Sequence, residues 1–224
     1  MMKQRLETLL QDLENKEEKL GRPISLVAVS KFYSLEKIEE SIGYGVKAIG
    51  ENKAQEFLEK AESLLGKVQL HFIGHVQRNK VRQILPYVDL IHSVDSLRLL
   101  KEIQKQAKRL NKIQEILLQV NIAKEEQKYG FLVEELDEAL AVVDKSTNVK
   151  VVGMMMMAPF SEDPEEVRVY FKEMSVLFDL YKEKHYNNVD MGILSMGMSG
   201  DYEVAIEEGS TMVRIGSAIY KEEE

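Results

Sequence analysis

The sequence predicts an α/β fold, a single (β/α)8 TIM barrel with an extra N-terminal helix. Short runs rich in Val and Ile alternate with longer amphipathic stretches along the chain, which is the element order of a parallel α/β fold. About eight such runs occur, the number that a closed barrel requires. The runs are apolar almost throughout, as expected for strands covered on both faces. A doubly wound open sheet is the alternative, because strand periodicity does not report closure.

Each predicted strand is short and is followed by a helical pattern. The strands are predicted at Leu26–Ser30, Lys47–Gly50, Gln69–Ile73, Val88–Ser93, Ile116–Asn121, Val149–Met156, Met191–Met196 and Thr211–Ile215. The helices are predicted at Met1–Lys19, Leu35–Ser41, Asn52–Leu64, Asn79–Leu85, Asp95–Leu110, Val133–Asp144, Pro164–Tyr186 and Asp201–Glu208. Asp95 and the segment Ser161–Asp163 are predicted N-caps, and Pro164 is predicted at a first helical position.

The composition is that of an ordinary globular protein and excludes several classes of function. The 224 residues carry a net charge of −8, so no general attraction to nucleic acid or to an anionic membrane is expected. No Cys is present, which excludes disulfides, Cys-ligated metals and a thiol nucleophile. The N-terminus lacks the apolar core of a signal peptide, and no apolar run approaches the roughly 20 residues of a membrane span. We expect one domain over residues 1–224, present as a monomer in the cytoplasm.

Lys31 is the first candidate for chemistry. The C-terminal strand ends form the active face of a parallel barrel, and Lys31 directly follows the apolar run Leu26–Ser30. Desolvation beside an apolar wall would ease the loss of its proton, and a neutral amine can attack an aldehyde to form an imine. Taken alone, a lysine that extends from a strand end to solvent is the simpler explanation.

Two segments rich in glycine and hydroxyl groups follow the last two predicted strands. They are Ser195–Asp201 and Gly209–Ser217. Small residues at these positions allow backbone N–H groups to approach an anion closely. Barrels frequently bind phosphate at this place, so the segments favour a phosphate site over simple tight turns.

No metal site is predicted. The four histidines, His71, His75, His92 and His185, lack the spacing of metal ligands. His71 lies inside an apolar strand, which is typical of a core or supporting residue, and His75 follows a glycine at a loop that can line the site. His92 and His185 have no partner that sequence spacing supplies.

A series of short motifs runs through the chain in a fixed order. The motifs are Val27–Lys31, Gly50–Asn52 with Gln55 and Glu56, His71–His75 with Gln77, Asn79 and Lys80, His92–Asp95, Gln119–Ile122, Lys128–Phe131, and Ser195–Ser217. Each motif is weak alone, but the series is highly specific and covers nearly the whole chain. With it, the chain resembles the YggS/PROSC family of proteins that bind pyridoxal 5′-phosphate (PLP), also called PLP homeostasis proteins. The fold of that family is similar to the barrel domain of bacterial alanine racemase.

The resemblance implies a role for six positions. Lys31 matches the lysine that holds PLP as a Schiff base. Arg214 matches the residue that faces the pyridine nitrogen, and Asn52 matches a pocket residue near the cofactor ring. The positions that match the family's phosphate cradle are Ser199, Gly216 and Ser217.

The resemblance implies a PLP-binding protein of intracellular vitamin B6 homeostasis, with PLP-dependent apo-enzymes as recipients and without efficient turnover. An arginine at the pyridine nitrogen opposes a proton there by like-charge repulsion, whereas many PLP enzymes place a carboxylate at that position. The second domain that the racemase relatives use has no counterpart in these 224 residues. The alternatives are a weak single-domain racemase or other PLP-dependent enzyme, and an aldolase whose lysine works without a cofactor.

Overall fold

The computed structural model describes residues 2–125 and 127–221, and it contains a closed barrel of parallel strands. The strands, in chain order, are β1 (Ser25–Val29), β2 (Ala48–Glu51), β3 (Gln69–Phe72), β4 (Leu90–Val94), β5 (Gln114–Gln119), β6 (Val149–Met155), β7 (Val189–Ser195) and β8 (Met212–Ile215). Each strand pairs with the next, and β8 pairs with β1 in a register that places Val27 opposite Arg214. This last pairing confirms the predicted TIM barrel, and the open doubly wound alternative is wrong.

Helices follow the strands and cover the outside of the barrel. They are α1 (Met2–Leu20), α2 (Leu35–Gly43), α3 (Ala54–Leu64), α4 (Arg78–Ile84), α5 (Leu97–Arg109), α6 (Leu136–Asp144), α7 (Pro164–Lys182), α8 (Tyr202–Glu207) and α9 (Ser217–Tyr220), with a 3-10 turn at Val133–Glu135. Helix α1 is the predicted extra N-terminal helix, and it buries Leu6, Leu9 and Leu13. Helix α9 was not predicted, because four residues are too few to show a helical period.

The apolar side chains form two layers. The inner layer fills the barrel with Val27, Ala48, Leu90, Leu117, Val152, Met155 and Met212. The outer layer lies between the strands and the helices and contains most of the buried Leu, Ile and Val residues. At the end of β6, Met154 to Met156 are core residues, whereas Met157 is 44% exposed.

The helix N-termini test the predicted caps. Asp163 caps α7, since its carboxylate accepts a hydrogen bond from the N–H of Glu165 at 2.9 Å. The prediction for Asp95 is wrong. Ser96 caps α5 by accepting from the N–H of Leu99 at 3.4 Å, because it stands immediately before the first helical turn. Among the described residues, no helix is both long and apolar enough to cross a membrane.

Candidate functional site

The six predicted site residues are gathered at the C-terminal end of the barrel. Strand β1 pairs with both β2 and β8, so the loops that leave these three strands are neighbours. The residues are Lys31 beyond β1, Asn52 directly after β2, Ser199 beyond β7, Arg214 within β8, and Gly216 and Ser217 directly after β8.

Lys31 lies in an exposed turn. The next residue, Phe32, has a φ of 70°, which is a strained conformation for a bulky side chain. The Nζ of Lys31 lies 5.9 Å from the centroid of the Phe32 ring, and that ring is 72% exposed. The desolvating apolar wall that was expected beside Lys31 is therefore not found among the described residues.

Glu56 of α3 holds this turn in place. Its carboxylate accepts a hydrogen bond from the N–H of Phe32 at 3.1 Å and pairs with Lys53 at 3.2 Å. The bond from Phe32 is the main cause that lowers the pKa of Glu56. The Nζ of Lys53 also lies over the Phe32 ring, 4.9 Å from its centroid. Two lysines therefore share one exposed aromatic ring at the mouth of the barrel.

A buried ionic cluster supports the end of β1 below the turn. Glu51 is 1% exposed, and its Oε1 accepts hydrogen bonds from Ser30 Oγ at 2.7 Å and from Lys60 Nζ at 2.6 Å. The other oxygen, Oε2, is buried without a hydrogen-bond partner among the described residues, and so is Oδ1 of Asn52. Two unsatisfied acceptors at one strand end are costly unless a ligand or water donates to them.

The predicted phosphate residues form a compact cradle. Ser199 Oγ accepts a hydrogen bond from the N–H of Gly216 at 3.3 Å, which joins the loop after β7 to the loop after β8. No described residue accepts a hydrogen bond from the N–H groups of Ser199, Gly200, Ser217 or Ala218. Four free N–H groups and two hydroxyls suit a ligand with several acceptor oxygens.

Gly216 makes a close backbone approach that the sequence did not show. A Cβ at this position would lie 3.1 Å from both Cβ and the carbonyl oxygen of Val29. The glycine therefore allows β8 to pack closely against the end of β1, two residues before Lys31.

An acidic residue, Asp201, lies beside the cradle. Its carboxylate accepts a hydrogen bond from the N–H of Met198 at 2.6 Å. Burial is the largest effect on this group and raises its pKa.

Arg214 points into the barrel and is 4% exposed. Its Nη1 donates to Ser195 Oγ at 2.6 Å, and its Nη2 donates to the carbonyl oxygen of Met156 at 2.9 Å. Burial lowers the pKa of Arg214 to about 10, so the guanidinium keeps its charge at neutral pH.

Two buried histidines extend the contacts of Arg214. His92 Nδ1 lies 3.1 Å from Ser195 Oγ, and His92 Nε2 lies 3.1 Å from His71 Nδ1. Sequence spacing supplied no partner for His92, since its partners come from β3 and β7. The interpretation of His71 as a supporting residue agrees with this arrangement.

A cavity of about 1070 Å³ lies at the opposite end of the barrel. Residues at the N-terminal ends of the strands line it, among them Ser25, Gln69 and His71. None of the six predicted site residues lines this cavity. We place the functional site at the C-terminal strand ends, where barrels carry their binding groups.

Aromatic and methionine side chains surround the mouth of the site. We call this set the mouth ring. The mouth ring consists of Phe32, Tyr129, Met157, Phe160 and Met198, and all five are exposed.

The ring of Tyr129 stacks on His75 with centroids 3.8 Å apart. His75 Nδ1 in turn lies 2.8 Å from the carboxylate of Asp95. His75 therefore lies at this end of the barrel, as predicted.

Within residues 2–125 and 127–221, no group of three or more acidic or histidine side chains is arranged to hold a metal ion.

Residues 5–224 match the family model described as alanine racemase, N-terminal domain. The chain is 42% identical over 223 residues to the pyridoxal phosphate homeostasis protein of Aquifex aeolicus, covering 98% of this chain and 97% of the relative. It is similar to the PLP-bound structure of PipY from Synechococcus elongatus, with a TM-score of 0.86, 28% identity, and coverage of 98% and 100%.

The alanine racemase of Clostridium difficile shares the fold, with a TM-score of 0.72 and 16% identity. The alignment covers 98% of this chain but 57% of that enzyme. The family model and the 42% identical relative cover almost the whole chain. The chain belongs to the alanine racemase N-terminal domain family and, within it, to the pyridoxal phosphate homeostasis proteins.

Proposed function

We propose that this protein binds PLP as a Schiff base on Lys31 and takes part in intracellular PLP homeostasis. The observation that carries the proposal is the convergence of an exposed lysine, a buried arginine and an N–H-rich cradle at one end of the barrel. PLP, when bound, supplies an aldehyde, a phosphate and a pyridine ring. The named relatives support the PLP-binding and homeostasis parts of the proposal.

The residues present fit each part of PLP. Lys31 provides an exposed primary amine for the aldehyde. The cradle of Ser199, Gly216 and Ser217 suits the phosphate, because the N–H groups of Ser199 and Ser217 have no acceptor among the described residues. The buried Oδ1 of Asn52 has no donor among the described residues, so it suits a hydroxyl group on the ring.

The covalent step needs no other reactant. The amine of Lys31 would supply the nitrogen of an imine with the PLP aldehyde, and its two hydrogens and the aldehyde oxygen would leave as one water. The strained turn at Phe32, fixed by Glu56, keeps the lysine at the mouth of the site.

Because of Arg214, we do not expect the protein to be an efficient catalyst. We propose that its buried guanidinium faces the pyridine nitrogen. A fixed cation there disfavours protonation of the nitrogen and so weakens the ring as an electron sink. The proposal therefore expects little racemisation, transamination or decarboxylation of amino acids by the loaded protein.

Borohydride reduction tests the site of attachment. Hydride adds to the imine carbon and leaves a stable pyridoxyl group on the attached lysine. We expect peptide mapping by mass spectrometry to find this group on Lys31, and the Lys31→Ala variant to lose both the group and the yellow colour. Circular dichroism should be unchanged, because Lys31 is an exposed turn residue outside the core.

Lys53→Ala is the matched control, since its amine lies over the same Phe32 ring. We expect this variant to retain labelling of Lys31. Labelling mainly on Lys53, Lys47 or Lys128 would show that the assignment is wrong. Rapid turnover of an amino acid that depends on Lys31 would instead favour the racemase alternative.

We further propose that PLP-dependent apo-enzymes are the recipients and that the protein acts as a single-domain monomer in the cytoplasm. The closed barrel supports a monomer, since closure leaves no strand edge for a second copy. The sequence, with no Cys and a net charge of −8, is compatible with the cytoplasm.

The mouth ring provides a surface for the recipient, and Phe160 is 92% exposed. We expect Phe160→Ser to slow transfer of PLP to an apo-aminotransferase by about fivefold or more, as for an aromatic contact residue. The measurement is recovery of aminotransferase activity while a phosphatase removes free PLP.

Val169→Ser, an exposed position on α7 at 59% exposure, is the control. Equal transfer by both variants and the unmodified protein would show that Phe160 takes no part in the transfer.

A further inference from the structure

A chain of hydrogen bonds crosses the interior of the barrel. It begins at Arg214 in β8, passes through Ser195 in β7 and His92 in β4, and ends at His71 in β3. Ser195 and His92 are 0% exposed and His71 is 3% exposed, so the chain is shielded from bulk solvent except at its ends.

Counting donors assigns a single direction to this chain. Arg214 only donates, so Ser195 Oγ accepts from it and has one hydrogen left to donate. Among the described residues, His92 Nδ1 is the only acceptor within hydrogen-bonding distance of Ser195 Oγ. His92 therefore carries its proton on Nε2 and donates it to His71 Nδ1. The opposite direction would leave the buried Ser195 hydrogen without an acceptor, which costs about 1–3 kcal/mol.

This direction requires both imidazoles to be neutral. Burial lowers the pKa of His71 to about 4. Burial also lowers the pKa of His92 well below its usual value, and repulsion from His71 and Arg214 adds to the effect. Arg214 is the charged group at one end of the hydrogen-bond chain. Asp201, which directly precedes α8, attracts the Arg214 cation electrostatically. The hydrogen-bond chain therefore consists of one cation, Arg214, followed by neutral groups whose hydrogen bonds all point in the same direction.

We propose that Ser195 and His92 are positioning residues that fix the guanidinium of Arg214 toward the PLP ring, with His71 anchoring the far end of the chain. The proposal rests on the proposed function for its effect on PLP. Its structural part, the restraint on Arg214, holds in the ligand-free protein. An arginine has several rotatable bonds, and fixing one nitrogen on Ser195 and another on the Met156 carbonyl leaves the planar group a single orientation.

The anchor at His71 needs only an acceptor. Its Nδ1 accepts from His92, its Nε2 has no hydrogen-bond partner among the described residues, and His71 lines the cavity at the N-terminal end. An asparagine at this position retains an acceptor oxygen near the place of Nδ1. The variant His71→Asn should therefore retain the restraint on Arg214 that His92→Phe removes.

The first test uses ligand-free protein and NMR of the Arg214 guanidinium, with Arg214→Met to identify its resonance. We expect Ser195→Ala and His92→Phe to speed the exchange of the Arg214 guanidinium protons with water by about tenfold or more. This is the change expected when one charge-assisted hydrogen bond is lost. His71→Asn should resemble the unmodified protein. Met155→Leu is the control for packing, because it changes a buried residue of the barrel interior that is not part of the hydrogen-bond chain. Unchanged exchange in Ser195→Ala and His92→Phe would overturn the proposal.

The second test is a double-mutant cycle on PLP affinity. Ser195→Ala should weaken PLP binding when Arg214 is present and have no further effect in the Arg214→Met background. Equal losses in both backgrounds would show that Ser195 does not act through Arg214. If borohydride finds no PLP on Lys31, the proposed function fails, whereas the exchange measurement still decides whether the chain restrains Arg214.

Discussion

In the proposed site, the hydroxyl groups of Ser199 and Ser217 make the protein bind PLP more tightly than unphosphorylated pyridoxal. Charge-assisted hydrogen bonds to a phosphate contribute roughly 1.5–3 kcal/mol each. We expect Ser199→Ala or Ser217→Ala to weaken PLP binding by about tenfold or more and to leave pyridoxal binding almost unchanged. Equilibrium titration of both ligands measures the difference.

Ser217→Ala tests the phosphate contact more specifically than Ser199→Ala does. Ser199 also accepts from the N–H of Gly216, so its removal disturbs the cradle as well as the ligand contact. Ser63→Ala, an exposed change on α3, is the control. A Gly216→Val variant is unsuitable, because its side chain would collide with Val29 before reaching any ligand. Equal losses for PLP and pyridoxal would place the phosphate elsewhere.

The residues that sequence could identify are those at strand ends. Lys31, Asn52 and Ser199 each follow an apolar run, and the strand pattern alone places them at one end of a parallel barrel. Their roles came from the resemblance. The partners of His92 could not be found in the same way, because contacts between β3, β4 and β7 depend on the closed barrel, which periodicity does not report.

At the scale of the elements, the hydropathy pattern located every strand but missed the polar beginning of β5. Strand β5 begins at Gln114, two residues before the predicted start. Gln114 is buried, and its amide donates to the carbonyl oxygen of Asp89 at 2.8 Å. Hydropathy scores a buried glutamine whose amide N–H bonds a neighbouring loop in the same way as an exposed one, so it places Gln114 outside the strand.

The turn after β1 shows a related limit. The sequence predicts a strand end at Lys31 but contains no signal for the left-handed backbone of Phe32. That conformation depends on Glu56, which reaches the turn from α3. Local propensity favours glycine or asparagine there, and a contact between separate elements overrides it.

At the scale of the whole molecule, the buried histidines make stability depend on pH. The pKa of His71 falls from 6.5 to about 4 on burial. A group whose folded pKa is lowered in this way keeps its full contribution above pH 6.5 and loses it as the pH falls toward 4. The unfolded chain binds the extra proton in this window, so each such histidine reduces the free energy of unfolding by up to about 1.4 kcal/mol per pH unit.

We expect His71→Asn to flatten the pH dependence between 6.5 and 4. Urea unfolding at a series of pH values measures it. His185→Asn is the matched control, because His185 is exposed on the surface. A slope in His71→Asn equal to that of the unmodified protein would show that His71 is not buried as a neutral group.

Barrel closure sets the order in which the site forms during synthesis. The seam pairs Ser25 of β1 with Met212 of β8, so the two strands that complete the barrel lie at opposite ends of the sequence. Contacts this distant along a chain form late and slowly, and a ribosome releases the N-terminal part first. Lys31 leaves the ribosome long before Arg214, Gly216 and Ser217. A nascent chain therefore exposes the amine of Lys31 before the candidate phosphate cradle can form, because the cradle requires the seam to close.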